Sequence, residues 1–192
     1  MIIIVGTPRS FTSLTSGIFR DHGVWFGRCK EYHEYCPTGS CENMEVKKIL
    51  KNYKKGAVAK GNIVEPIPDF MNLVKDIMEK ENYNGGPYAF KHSAVFYKQW
   101  PDEAKFICCR RPKEAVVASG KRTGMYAANP ESWDVHQQIM DDLVKSGKGV
   151  NVYGEEYFKG EWSQLKDAFS FCELDFDQAI AESLLDHKYK HF

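Results

Sequence analysis

The chain opens on Ile2-Ile3-Ile4-Val5, four consecutive β-branched residues that run into Gly6-Thr7-Pro8-Arg9-Ser10-Phe11-Thr12-Ser13-Leu14. Stiff apolar side chains pointing alternately to both sides suit a strand covered on both faces, as in a parallel sheet between helical layers. Gly, Pro and Ser then break the run, and Leu14, Ile18 and Phe19 return at helical spacing. Strand, tight loop and helix start together gather backbone N–H groups and the positive helix end around an anion. One short stretch thus predicts both a fold class and the place of a ligand.

The loop departs from the nucleotide-phosphate pattern G-x-x-x-x-G-K-[ST]. Counting from Gly6, Phe11 and Thr12 stand where that pattern has Gly and Lys, and only Ser13 conforms. Without a lysine for the β/γ-phosphates, ordinary ATP or GTP chemistry is disfavoured. Arg9 and the hydroxyls of Ser10, Thr12 and Ser13 remain. Such a set suits an anion that needs one positive charge and several donors, with no metal required.

A chain of 192 residues predicts a single domain, 1–192, with a full core. Its 26 basic residues balance 26 acidic ones, so no nucleic-acid partner is expected. No apolar run has the length of a membrane span, and the short apolar start lacks the basic leader of a signal peptide. Six cysteines, Cys29, Cys36, Cys41, Cys108, Cys109 and Cys172, read as free thiols of a cytoplasmic protein.

Strand and helix patterns alternate along the chain. Gly23–Gly27 reads as a second strand, residues 28–42 as a loop and Glu42–Tyr53 as a helix. Pro66 or Pro68 opens a helix through Phe70, Met71, Val74, Ile77 and Met78, which stops before the Asn-Gly-Gly break. Strands follow at Pro87–Lys91 and Lys105–Cys109, then a helix from Pro112 to Gly124, another from Pro130 to Val144, and a strand at Val150–Tyr153. The last third is mostly helical. The expected architecture is α/β: a three-layer, P-loop-type fold with a central parallel sheet of about five strands flanked by helices. Phe70, Met71, Met78 and Trp133 are expected in its core.

A second polar cluster, Arg110-Arg111-Pro112-Lys113 with Ser119, falls where a buried strand ends and a Pro-started helix begins. Ligands of open α/β sheets bind at such ends, and a guanidinium offers a forked donor for phosphate. Taken together the two clusters resemble the sulfotransferase family. Gly6 to Leu14 is similar to its 5′-phosphosulfate loop, whose bacterial form runs Pro-Arg-Ser-Gly-Thr-[ST]-x-Leu, with Phe11 in place of the Gly. The Arg-x-Pro followed by Ser is similar to its 3′-phosphate motif. Asn151 to Phe158 echoes its Tyr-Glu-x-Leu segment.

The resemblance implies 3′-phosphoadenosine 5′-phosphosulfate as donor and adenosine 3′,5′-bisphosphate as product. It implies that Gly6, Thr7, Pro8, Arg9, Ser10, Phe11, Thr12 and Ser13 hold the 5′-phosphosulfate, with Arg9 also catalytic. The 3′-phosphate falls to Ser119 with Arg110 or Arg111, since the family spacing lands on Ser119 only when counted from Arg111. His92, just after a strand and close to where cytosolic members keep Lys-Thr-His, is the expected base, with Glu65 and His33 in reserve.

Cys29, His33, Cys36 and Cys41 match no common zinc spacing, so residues 28–42 read either as an acceptor-side lid or, less in keeping with that spacing, as a metal loop. The lysines at 47, 48, 51, 54 and 55 read as a solvated helix face. The acceptor is expected to be a small molecule or saccharide. Two other readings stand beside this one: a degenerate P-loop kinase and a nucleotide- or anion-binding protein without turnover.

Overall fold

The computed structural model describes residues 1–30, 39–53, 57–125 and 127–185. In chain order it holds β1 (Ile2–Gly6), α1 (Thr12–Asp21), α2 (Met44–Tyr53), α3 (Ala57–Lys60), α4 (Phe70–Lys80), β2 (Ala89–Ser93) and a 3-10 turn (Ala94–Gln99). There follow β3 (Lys105–Arg110), α5 (Lys113–Thr123), α6 (Pro130–Lys145), β4 (Gly149–Tyr153), α7 (Gly154–Tyr157), α8 (Ser163–Phe171) and α9 (Gln178–Ser183). The strands pair in parallel in the order β2-β1-β3-β4. Among the described residues no helix is long and apolar enough to cross a membrane.

The opening run behaves as its composition requires. Ile3 and Val5 face one layer with Phe90 and Phe106, packing on Val46 and Leu50 of α2, Val74 and Ile77 of α4, and Met140 of α6. Ile2 and Ile4 face the other with Ile107 and Val152, against Ile18 and Phe19 of α1 and Leu165 and Phe169 of α8. All four side chains of the run are less than 5% exposed. Complete burial of each stabilises the fold by about 1.5–3 kcal/mol.

Among the described residues the sheet has four strands, not about five. Gly23–Gly27 makes a single bridge, Trp25 to Tyr88, through Trp25 N to the Pro87 carbonyl at 3.0 Å and Ala89 N to the Trp25 carbonyl at 2.8 Å. Gly23 and Gly27 are both left-handed, with φ of 85° and 66°, so the backbone turns away on either side of that bridge. Trp133 also differs from expectation. It is half-buried outside the core, its Nε1 donating to the Arg111 carbonyl at 2.9 Å with the Lys113 ammonium 5.4 Å from the ring centre. Helix α2 starts at Met44 because Asn43 caps it, its Oδ1 accepting from Glu45 N and Val46 N at 3.1 and 3.0 Å.

From β1 the chain moves to one side to form β2, then crosses to the other side for β3. The order therefore reverses between β1 and β3, and the crevice beyond their carboxyl ends is the binding position this topology provides. Gly6 and Arg110 end those two strands.

Candidate functional site

The loop after β1 turns tightly over β3. A Cβ on Gly6 would lie 2.8 Å from Thr12 Cγ2 and 2.9 Å from the Cys109 carbonyl oxygen, so only glycine fits there. Within the loop Ser10 N and Oγ both donate to the Thr7 carbonyl, at 3.2 and 2.7 Å. Ser10 and Thr7 are fully buried, so their side chains brace the loop from behind. Arg9 and Phe11 are left-handed, with φ of 74° and 61°, and the Phe11 side chain at the N-cap position makes no capping hydrogen bond to α1.

A left-handed backbone at Phe11 costs roughly 1–2 kcal/mol, which explains why the family pattern has glycine at this place. Here packing offsets the strain. The Phe11 ring lies 4.5 Å from the Arg111 guanidinium carbon and 5.8 Å from the Phe158 ring. It also occupies the space beside Gly154, where a Cβ would fall 2.4 Å from Phe11 Cβ. Gly154→Ala is therefore expected to destabilise the protein by about 2 kcal/mol through overpacking. In a Phe11→Gly background the same change is expected to be nearly neutral. Urea unfolding of the four chains of this cycle measures the coupling.

The two adjacent arginines diverge. Arg110 faces α6 and β4: its Nε donates to Asn151 Oδ1 at 2.8 Å, Nη1 to Gln137 Oε1 at 2.7 Å and Nη2 to Asp141 Oδ1 at 2.8 Å. Arg111 faces the loop. Its Nη1 donates to the Arg9 carbonyl and its Nε to Glu155 Oε1, both at 2.9 Å. Arg9 in turn donates from Nε to Ser119 Oγ at 2.9 Å. The structure thus links Phe11 to Arg111, Arg111 to Arg9 and Arg9 to Ser119, and directs Arg110 elsewhere. The Asn151–Phe158 segment completes the frame, with Glu155 on Arg111 and the buried Tyr157 hydroxyl 3.2 Å from Thr15 Oγ1 of α1.

A cleft of about 380 Å³ opens beside the loop, lined by Gly6, Thr7, Pro8, Arg9, Thr12 and Ser13 on one side. Across it stand Lys91, His92 and Ser93 from the end of β2, with Ser40, Glu42 and Lys47. Lys91 is the residue that sequence reasoning missed. Its register opposite Ile4 points it at the loop, where Nζ donates to Ser13 Oγ at 2.8 Å and to the Ser40 carbonyl at 2.6 Å, and lies 3.5 Å from Glu42 Oε1. A lysine from the neighbouring strand thus stands against the loop and the start of α1. Its signal was a lysine directly after the apolar Ala89-Phe90 of a strand, only 6% exposed once folded.

His92 lines the same cleft, 7% exposed, its ring stacked 6.0 Å from Trp100. Glu65 lies elsewhere, exposed and paired with Lys98 at 2.8 Å. His33 and Cys36, with Lys54 and Lys55, lie outside the described residues. Among the described ones no three potential metal ligands converge. Burial pushes the Cys108 and Cys109 thiols up to about 12, which leaves them unreactive. Lys47 turns out to pair with Glu42 at the cleft rather than sit on a purely solvated face.

Two groups tie stability to pH. Burial holds His136 well below the ordinary imidazole value, at about 4. Burial alone would raise the Glu42 carboxyl, but Lys91 and Lys47 outweigh it and hold it at about 2. The unfolded chain takes up a proton on His136 first, so its share of stability falls as pH drops from about 6.5 towards 4. The Glu42 share is intact above about 4.5 and is lost on further descent towards 2. Each amounts to roughly 3 kcal/mol. Chemical denaturation from pH 7 to 4 is expected to show the first loss in the native chain and not in His136→Gln.

No family model matches this sequence, and no curated protein matches it. Solved structures do. The sulfotransferase domain from the Synechococcus PCC 7002 olefin synthase aligns with a TM-score of 0.59 at 16% identity, over 99% of this chain and 78% of that one. The sulfotransferase domain from the curacin biosynthetic pathway aligns with a TM-score of 0.58 at 13% identity, over 94% of this chain and 76% of that one. The chain has the sulfotransferase fold.

Proposed function

We propose that this protein, which has the sulfotransferase fold, transfers a sulfuryl group from 3′-phosphoadenosine 5′-phosphosulfate to a hydroxyl or amine of a small or saccharide acceptor, releasing adenosine 3′,5′-bisphosphate. One observation carries the reading: segments more than a hundred positions apart meet as Arg9 with Ser119 and Arg111 with the Arg9 carbonyl, each at 2.9 Å. In the family pattern these segments hold the two ends of one nucleotide. The donor set fits that nucleotide, since a glycine-only turn, three cationic side chains and several hydroxyls surround one crevice.

When bound, the donor supplies a sulfuryl group already activated on a phosphate oxygen. The protein's part is positioning and charge. Backbone N–H groups of the loop and the first turn of α1, with the hydroxyls of Thr12 and Ser13, hold the 5′-phosphate. Arg111 and Ser119 hold the 3′-phosphate, and Arg111 exchanges Glu155 for it. Arg9 and Lys91, which line the cleft, oppose the negative charge that grows on the leaving oxygen. His92 borders the acceptor side. The chain itself carries the cations this transfer needs, so no metal is called on.

A second reading, nucleotide binding without turnover, is favoured by one feature, the left-handed Phe11 in the loop where the family pattern has glycine, which alters how closely the backbone meets the phosphate. Calorimetry with adenosine 3′,5′-bisphosphate, 5′-AMP and magnesium-ATP tests both. Tight binding of the bisphosphate, about 10²-fold weaker binding of 5′-AMP, and loss of affinity in Arg9→Ala support the donor site. Stronger binding of magnesium-ATP, or no binding of either nucleotide, overturns it. Bisphosphate binding with no transfer to phenols, amines or sugars favours the second reading.

A further inference from the structure

His136 is a fully buried histidine on α6 that the donor site leaves unused, and its bonds lead back to the cleft. Its Nδ1 lies 2.5 Å from the Ser132 carbonyl oxygen, an atom that only accepts. Nδ1 therefore carries the ring proton, and Nε2 presents a lone pair. Nε2 lies 2.5 Å from Ser93 Oγ, which consequently donates its hydroxyl proton to the ring. Ser132 is itself fixed, its Oγ donating to the Val58 carbonyl at 2.7 Å. Ser93 lines the cleft with Arg9, Ser13, Lys91 and His92 and stands opposite Gly6 in the sheet register.

We propose that Ser93 and His136 form a two-step proton relay that deprotonates the acceptor, with Ser93 the group that touches it and His136 positioned behind. This rests on the sulfuryl-transfer reading. As the acceptor oxygen bonds to sulfur and the sulfur–oxygen bond to the nucleotide breaks, its proton moves to Ser93 Oγ and the Ser93 proton moves to His136 Nε2. The leaving electron pair stays on the nucleotide's phosphate oxygen, and the imidazolium returns its proton by the same path to solvent after release. The buried ring is neutral before transfer, so the lone pair is in place. A relay of this kind also accounts for a hydroxyl, rather than an apolar residue, at the cleft wall above a buried imidazole.

Phenylmethanesulfonyl fluoride tests the pair without any nucleotide. Attack forms an Oγ–S bond, breaks the S–F bond, releases fluoride and passes the serine proton to His136 Nε2. The expected result is a single label on Ser93 by peptide mass spectrometry, formed at least about tenfold more slowly in His136→Gln and absent in Ser93→Ala. No label on Ser93, or an unchanged rate in His136→Gln, overturns the proposal. The native chain gives a second measurement that requires no folded variant. Nitrogen-15 shifts of His136 are expected to show Nδ1 protonated and Nε2 bare, and the opposite tautomer overturns the relay.

A third arm runs the reaction in reverse, from aryl sulfates to adenosine 3′,5′-bisphosphate. Ser93→Ala is expected to lower kcat about 10²-fold for phenyl sulfate, whose leaving oxygen takes the Ser93 proton while the imidazolium form of His136 returns one to Ser93 Oγ. For 4-nitrophenyl sulfate, whose leaving group needs none, kcat is expected to hold. Equal losses for both esters mark a structural role and overturn the relay. Failure of the native chain to bind the bisphosphate overturns the donor reading instead, and the labelling arm still judges the pair.

Discussion

Lys91→Met is expected to slow sulfuryl transfer by about 10²–10³-fold while the bisphosphate product still binds. The lysine is 6% exposed and reaches Ser13 Oγ, at the start of α1, at 2.8 Å. A buried, fixed cation acts on charge that grows during transfer, and removing one such donor costs about 3–4 kcal/mol of barrier. Its loss also leaves Glu42 beside a cavity with one ammonium fewer, so the carboxyl is expected to rise from about 2. Lys91→Met with Glu42→Gln separates the two effects. The double variant is expected to regain stability and not rate. Recovery of both in the double variant, in single-turnover measurements with a phenol acceptor, would mean that Lys91 serves only to neutralise Glu42.

Arg111→Ala is expected to cost about 3–5 kcal/mol of stability, which for a chain of this size lowers Tm by roughly 6–20 °C. It is also expected to erase the preference for the bisphosphate over 5′-AMP. The guanidinium is 4% exposed and joins three parts of the frame: the Arg9 carbonyl, the Glu155 carboxylate and the Phe11 ring. Removing it strands a largely buried carboxylate and releases the loop. Arg111→Lys keeps the charge but not the fork, so it is expected to recover part of the stability and little of the selectivity. Arg110→Ala, by contrast, is expected to destabilise without changing the ratio of the two nucleotide affinities, because Arg110 ties β3 to Asn151 and α6. Calorimetry and thermal melts on the three variants give both quantities.

The frame of this site was legible because local chemistry decided it. Four β-branched residues ahead of a Gly-Pro-Ser loop fixed β1 and the start of α1, and the Pro112 break fixed where β3 ends. What escaped depended on contacts between distant strands. Lys91 and Ser93 matter through the register that sets them opposite Ile4 and Gly6, a pairing no local pattern encodes. The two arginines were separable in principle. Alternation places Arg110 on the face of Phe106 and Cys108, which packs on α6, and frees Arg111 beyond the strand end to reach the loop. His136 lies between Val135 and Gln137 and is buried through long-range contacts, its ring against Ser93 of β2 and its neighbour Ser132 bonded to Val58 of α3. The failed second strand had the right composition, and its flanking glycines adopted turns instead.

The nested fit of Phe11 against Gly154 also sets an order of events for sequence change. With a Cβ at 154 falling 2.4 Å from that of Phe11, the aromatic loop is reachable only in a chain that already has glycine at the β4–α7 elbow. Once the phenylalanine is in place, position 154 is closed to any larger residue until position 11 shrinks again. Two sites 143 positions apart therefore behave as one inherited character. An aromatic loop without the elbow glycine would signal a differently arranged phosphate cradle.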